Sequence, residues 1–125
     1  MTGIIFDIES NPPYTNIEIL QGKTISFPLI WGGATPINVT GYDARMQIRE
    51  DASSDEVIAS FTVANSRVTI GTTNGLITFS MTAADSAALT PGEYFYEIEV
   101  IDSSGLVISS KELRGRCTII AEITK

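Results

Sequence analysis

Glu97 and Glu99 are the residues whose types and spacing come nearest to a catalytic pair. On an extended strand they share one face, roughly 6.6–7 Å apart. That is close to the separation an inverting glycosidase uses for its acid and its base. Such work needs one carboxyl partly buried so that it holds its proton. Here the apolar alternates Tyr96, Ile98 and Val100 claim the opposite face, so the pair reads as the solvated side of a strand. The chain contains no histidine, which removes the commonest general base and metal ligand. Cys117, the single cysteine, sits in an apolar alternation and reads as a small buried hydrophobe. Asp51, Asp55 and Glu56 lack the glycine and ordered ligand spacing of a calcium loop. Gly32-Gly33 and Gly71 do not lead from a strand into a long helix, so no phosphate cradle is expected. No catalytic, cofactor-binding or metal-binding set is expected, and the chain reads as a non-enzyme.

The elements that would position these side chains are strands. In residues 76–105, Ile77, Phe79 and Met81 alternate with Thr78 and Ser80, a period of two. Thr82, followed three residues later by Asp85, predicts the start of a short helix over 83–89. Pro91-Gly92 ends that helix, and 93–102 alternates large apolar with acidic residues. Asp102-Ser103-Ser104-Gly105 then turns the chain, so 106–110 pairs back as a strand.

Upstream, residues 4–9 form a strand candidate ended by Asn11-Pro12-Pro13. Residues 1–14 are therefore expected to be an N-terminal arm or edge strand, with the main domain over 15–125. Ile17, Ile19 and Leu20 suggest a short strand; Ile25, Phe27 and Leu29 are expected to point inward. Pro28 puts that strand at an edge or a bulge. Ala44, Met46 and Ile48 alternate with Arg45, Gln47 and Arg49, and residues 57–63 return after an acidic tip at 50–56. Val68 and Ile70 precede Asn74-Gly75, a strong tight-turn signal. At the end of the chain, Cys117, Ile119, Ala121 and Ile123 would share one buried face. The pattern predicts an all-β sandwich of seven to nine strands with one short helical crossover.

Composition narrows what such a sandwich meets. At 125 residues it is one domain, and 43% hydrophobic against 18% charged residues excludes disorder as its main state. A net charge of −7 argues against nucleic acid as a ligand. The one basic cluster is Lys111, Arg114 and Arg116. Arg114 and Arg116 would share a strand face, either pairing with Glu93, Glu97 or Glu99 or meeting an acidic partner. No apolar run approaches the ~20 residues that span a bilayer, and no signal-peptide pattern opens the chain, so synthesis in the cytoplasm is expected. Asn38-Val39-Thr40 matches a glycosylation sequon without a secretory route to use it. Among the aromatic residues, Tyr96 and Trp31 are expected in the core. Phe95 interrupts the acidic face between Glu93 and Glu97, which suits contact with another subunit.

The segments VTGYDARMQIRE at 39–50 and NGLITFSMTAADSAALTPGEYFYEIEVID at 74–102 carry a resemblance, together with the acidic hairpin between them. They resemble a family of phage-encoded immunoglobulin-like domains, best known as the N-terminal domain of upper baseplate proteins of some siphophages. The likeness covers about half the chain and rests on turn and packing signatures instead of chemistry. It implies an immunoglobulin-like antiparallel β-sandwich and a structural place in a tailed phage virion. Baseplate, neck, fibre adaptor and head decoration all fit a chain that stops at Lys125. Such a module would be made in the host cytoplasm, reside in the virion in multiple copies or as a homo-oligomer, and use no cofactor. Its contacts would be other virion proteins, reached through Ile4, Phe6 and Tyr14 of the arm and through Phe95, Arg114 and Arg116. The alternative is a carbohydrate-binding adhesion module in which Trp31, Tyr42 and Phe95 stack together on host glycans.

Overall fold

Period-two alternation dictates most of the architecture, because each strand can bury one face only. The computed structural model describes residues 16–32, 34–51, 53–108 and 113–124. The expected arm at 1–14, with Ile4, Phe6 and Tyr14, lies outside the described residues. Along the chain run β1 (Ile17–Leu20), β2 (Ile25–Ile30), β3 (Asp43–Arg49), β4 (Val57–Thr62), β5 (Val68–Ile70) and β6 (Leu76–Met81). The helix α1 (Ala83–Ala87) follows, then β7 (Gly92–Ile101), β8 (Val107–Ile108) and β9 (Arg114–Ile120).

Among the described residues the larger sheet has the order β1-β9-β7-β3-β4, with β8 added beside β7. The smaller sheet has the order β2-β6-β5. Their inner faces meet in one core that includes Ile19, Leu29, Met46, Phe61, Phe79 and Ile98, each at most 1% exposed. Ile25, Phe27 and Leu29 point inward as expected, and Pro28 occupies the outer strand of the smaller sheet, where its missing N–H costs no ladder bond. Trp31 is also buried, and the Gly75 backbone closes over it: the Trp31 N–H donates to the Gly75 carbonyl at 2.8 Å. A Cβ on Gly75 would lie 2.7 Å from the Trp31 carbonyl, and its φ of 68° suits glycine, so the Asn74-Gly75 turn has two reasons for its glycine.

The crossover from the smaller to the larger sheet is α1. Thr82 Oγ1 accepts from the Asp85 N–H at 3.1 Å, the expected N-cap. The helix ends at Ala87, not at residue 89: the Ala88 and Leu89 N–H groups bond only three residues back, to the Asp85 and Ser86 carbonyls, a tightened final turn before Pro91. Just beyond, the Tyr94 hydroxyl donates to the Thr90 carbonyl at 2.8 Å. This is the tyrosine corner of immunoglobulin sandwiches, and Tyr96 occupies the position two residues on where those domains carry a cysteine.

Two further expectations change. The sheets are not wholly antiparallel: β1 runs parallel to β9, with Ile17 opposite Cys117 and Leu20 opposite Ile120. These strands are joined through the rest of the domain, so no hairpin imposes opposite directions. Ala121 and Ile123 are not buried; Ile123 is 94% exposed. There β9 has ended, and the Gln21 side chain takes over, its Oε1 accepting from the Glu122 N–H at 3.0 Å. The last predicted hairpin strand is present where it is described: Val107–Ile108 pair with β7, and residues 109 and 110 lie outside the described residues.

Candidate functional site

The same alternation that fills the core leaves β3, β7 and β9 with one outward set of side chains each. Cross-strand register assembles these sets into rows. Arg45 lies opposite Glu99, and Gln47 opposite Glu97, which in turn faces Arg114. Arg49 lies opposite Phe95, which faces Arg116. Two adjoining hollows of about 700 and 710 Å³ open on this face and share Phe95 and Arg114. Phe95 stands between them, 46% exposed.

The charges on this face interlock. Arg45 Nε donates to Glu99 Oε1 at 2.6 Å, and Arg116 Nη1 approaches Glu93 Oε1 at 3.4 Å. The Arg116 guanidinium also lies over the Phe95 ring, 5.7 Å from its centroid, a cation–π arrangement. Arg49 donates to the Ser54 carbonyl at 2.6 Å and to Gln47, which fixes it beside the acidic tip. Among the described residues Arg114 forms no ion pair. Exposed pairs of this kind add little to stability. Around Phe95, Arg45, Arg49, Arg114 and Arg116 are matched by Asp51, Glu93, Glu97 and Glu99, so this patch is neutral on a chain of net charge −7, while Asp43 and Glu18 lie further out on the same sheet face. A partner approaching here escapes the repulsion that the rest of an acidic surface exerts.

The structure therefore brings together Phe95, Arg114 and Arg116 from the sequence-derived set; Ile4, Phe6 and Tyr14 fall outside the described residues. It adds Arg45, Gln47 and Arg49, which the sequence shows only as the alternate face of a half-buried strand. Their only signal was alternation, and alternation does not say which strand lies alongside. The three-aromatic sugar platform does not form, because Trp31 is 4% exposed and Tyr42 packs against the core. Glu99 meets Arg45 in place of a second carboxyl. In the loops, Ser53 holds the Asp51 carboxyl below the usual carboxylate range, and Ser104 does the same for Asp102. Both are turn bonds to the protein's own backbone and hydroxyls. On the inner face burial pushes the Cys117 thiol up to about 12, which suits packing and not nucleophilic attack. No described helix is long and apolar enough to cross a membrane.

Strand order, the crossover helix and the tyrosine corner together define an immunoglobulin-like β-sandwich. No protein-family model and no curated protein matches the sequence. Among solved structures the chain is similar to the N-terminal domain of phage TP901-1 ORF48, with a TM-score of 0.50 and 14% identity over 96% of this chain and 94% of that one. It is also similar to CopC from Methylosinus trichosporium OB3b, with a TM-score of 0.47 and 10% identity over 90% of this chain and 91% of that one. Murine CRIg gives a TM-score of 0.40 at 10% identity over 86% of this chain and 92% of that one. At these identities the likeness is one of fold.

Proposed function

We propose that this chain is a non-enzymatic structural module of a tailed phage particle, docking to neighbouring virion proteins through the outer face of its larger sheet. The observation that carries the reading is Phe95, 46% exposed within a neutral, charge-interlocked patch on an acidic protein. An exposed aromatic anchor ringed by arginine is the composition that protein interfaces favour. Support for the particle comes from the sequence resemblance to phage immunoglobulin-like domains and from the fold it shares with a domain of phage TP901-1. In this reading the protein is made in the host cytoplasm and enters the virion in a copy number set by particle symmetry.

The test is to purify phage particles from the organism that carries the gene and count their proteins by mass spectrometry. The expected result is this chain at a fixed multiple-copy stoichiometry. Replacing Phe95→Glu should lower occupancy at least about tenfold, the effect of losing one interface anchor. Phe95→Ala should leave unfolding stability within about 0.5 kcal/mol, as for a surface site. Particles that lack the protein, or that fill normally with Phe95→Glu, would overturn the reading.

A further inference from the structure

The outer edge of β4 offers a sheet an obvious place to grow. Val57–Thr62, VIASFT, has high strand propensity and carries no charge and no proline, the signature of a self-pairing segment. At its Thr62 end, three backbone groups of that edge are nonetheless occupied. The Ser60 carbonyl accepts from Asn65 Nδ2 at 2.9 Å and from Arg67 Nη1 at 3.0 Å. The Thr62 N–H donates to Asn65 Oδ1 at 2.9 Å, and the Thr62 carbonyl accepts from the Arg67 N–H at 3.1 Å.

These bonds have the form of a missing strand. In a parallel ladder, a residue opposite Phe61 would donate to the Ser60 carbonyl and accept from the Thr62 N–H. The Asn65 side-chain amide makes both bonds. Its orientation is determined, because Oδ1 accepts from two N–H groups, those of Thr62 and Arg67, while Nδ2 faces a carbonyl. A turn from Val63 to Ser66 folds Asn65 back onto the edge, and Ser66 there takes a φ of 65°, unfavourable for a residue with a Cβ. Arg67 is anchored in turn by Asp85 at 2.9 Å. Nearer the start of β4 the register slips at Ile48/Arg49, leaving Ile58 as a bulge that twists the edge.

We propose that Asn65 closes the outer edge of β4 against strand addition, and that the strand it excludes is β4 of a second copy of this chain. An uncharged segment is the part of an acidic protein that a second copy can approach without repulsion. Antiparallel pairing of β4 with itself about a twofold axis would satisfy both edges at once. This inference stands apart from the docking face.

The test compares the full chain with Asn65→Ala by sedimentation velocity and by amide hydrogen exchange. At equal concentration Asn65→Ala should show about twice the mass of the parent species. Adding Ser60→Pro, which removes an outward N–H and suits an edge strand, should return it to the parent mass. Should Asn65→Ala fail to fold, Asn65→Ser carries the same comparison, its side chain being too short to span both groups. The idea is overturned if the opened variant keeps the parent mass while its Thr62 amide exchanges about tenfold faster, the equivalent of one lost hydrogen bond. It is also overturned if association persists with Ser60→Pro.

Discussion

The two faces of the larger sheet are made by the same strands and do opposite things. Along β7, Tyr94, Tyr96, Ile98 and Val100 point inward, none more than 8% exposed. Their immediate neighbours Glu93, Phe95 and Glu97 point outward into solvent, with Glu99 half-buried among them. A strand gives alternate residues to two environments, so stability and recognition can reside on one element without competing for positions. The inner face holds the fold together by burial. The outer face contributes little to folding and is free to be selected for what it touches.

The sharpest way to break that division is at the inner face. Phe61→Ala removes a fully buried ring at the end of the core, and chemical denaturation should show a loss of about 3–5 kcal/mol. A loss below about 1 kcal/mol would mean that the inner face is not where stability resides.

The next largest effect is alkaline. Burial pushes the Cys117 thiol up to about 12 from its ordinary value of 9.0. Burial, and then the nearby Cys117, also raises the Tyr96 hydroxyl. An unfolded chain releases the thiol proton near pH 9 while the folded one retains it to about 12. Stability from this site is therefore complete below pH 9 and declines as pH rises through that interval. Denaturation midpoints at pH 8 and pH 11 should separate for the parent chain and separate less for Cys117→Ala. Parallel declines in the two proteins would show that the thiol is not insulated from water.

A smaller change sharpens the comparison at the crossover. Tyr94→Phe deletes the hydroxyl that reaches the Thr90 carbonyl while keeping the ring. The expected cost is about 1–2 kcal/mol in unfolding free energy, because a part-buried acceptor is left without its donor. Phe95→Ala, one residue further on, lies at the bottom of the scale. The contrast between these adjacent positions is the most direct measurement of how cleanly the faces are divided.

Much of the fold was legible because it is written in local periods and turn residues. The inward sets of β2, β3 and β7 followed from alternation, the start of α1 from Thr82 and Asp85, and one turn from Asn74-Gly75. Pro28 limited β2 to an edge or a bulge, and β2 lies at an edge. The errors arose where a local pattern outlasted its structural support. Ala121 and Ile123 continue the apolar alternation of β9, but their partner strand has already turned away at Gln21. Trp31, expected in the core, is buried there, where its N–H donates to the Gly75 carbonyl. The candidate face was half visible: Phe95, Arg114 and Arg116 broke a pattern or formed a cluster. Arg49 did neither, and nothing in the sequence marks Asn65 beyond its being a turn-favouring residue type.

The order of amino acids decided which residues turn inward, where the chain bends, and that apolar strand faces must be covered by a second sheet. Those outcomes depend on backbone geometry and on burial of neighbouring side chains, which act over a few residues. Only closure of the sandwich decided that β1 lies parallel to β9, that Arg49 meets Phe95, and that Asn65 reaches the edge of β4. Strand neighbours are chosen by long-range packing among many locally equivalent pairings, and a sequence period carries no record of that choice.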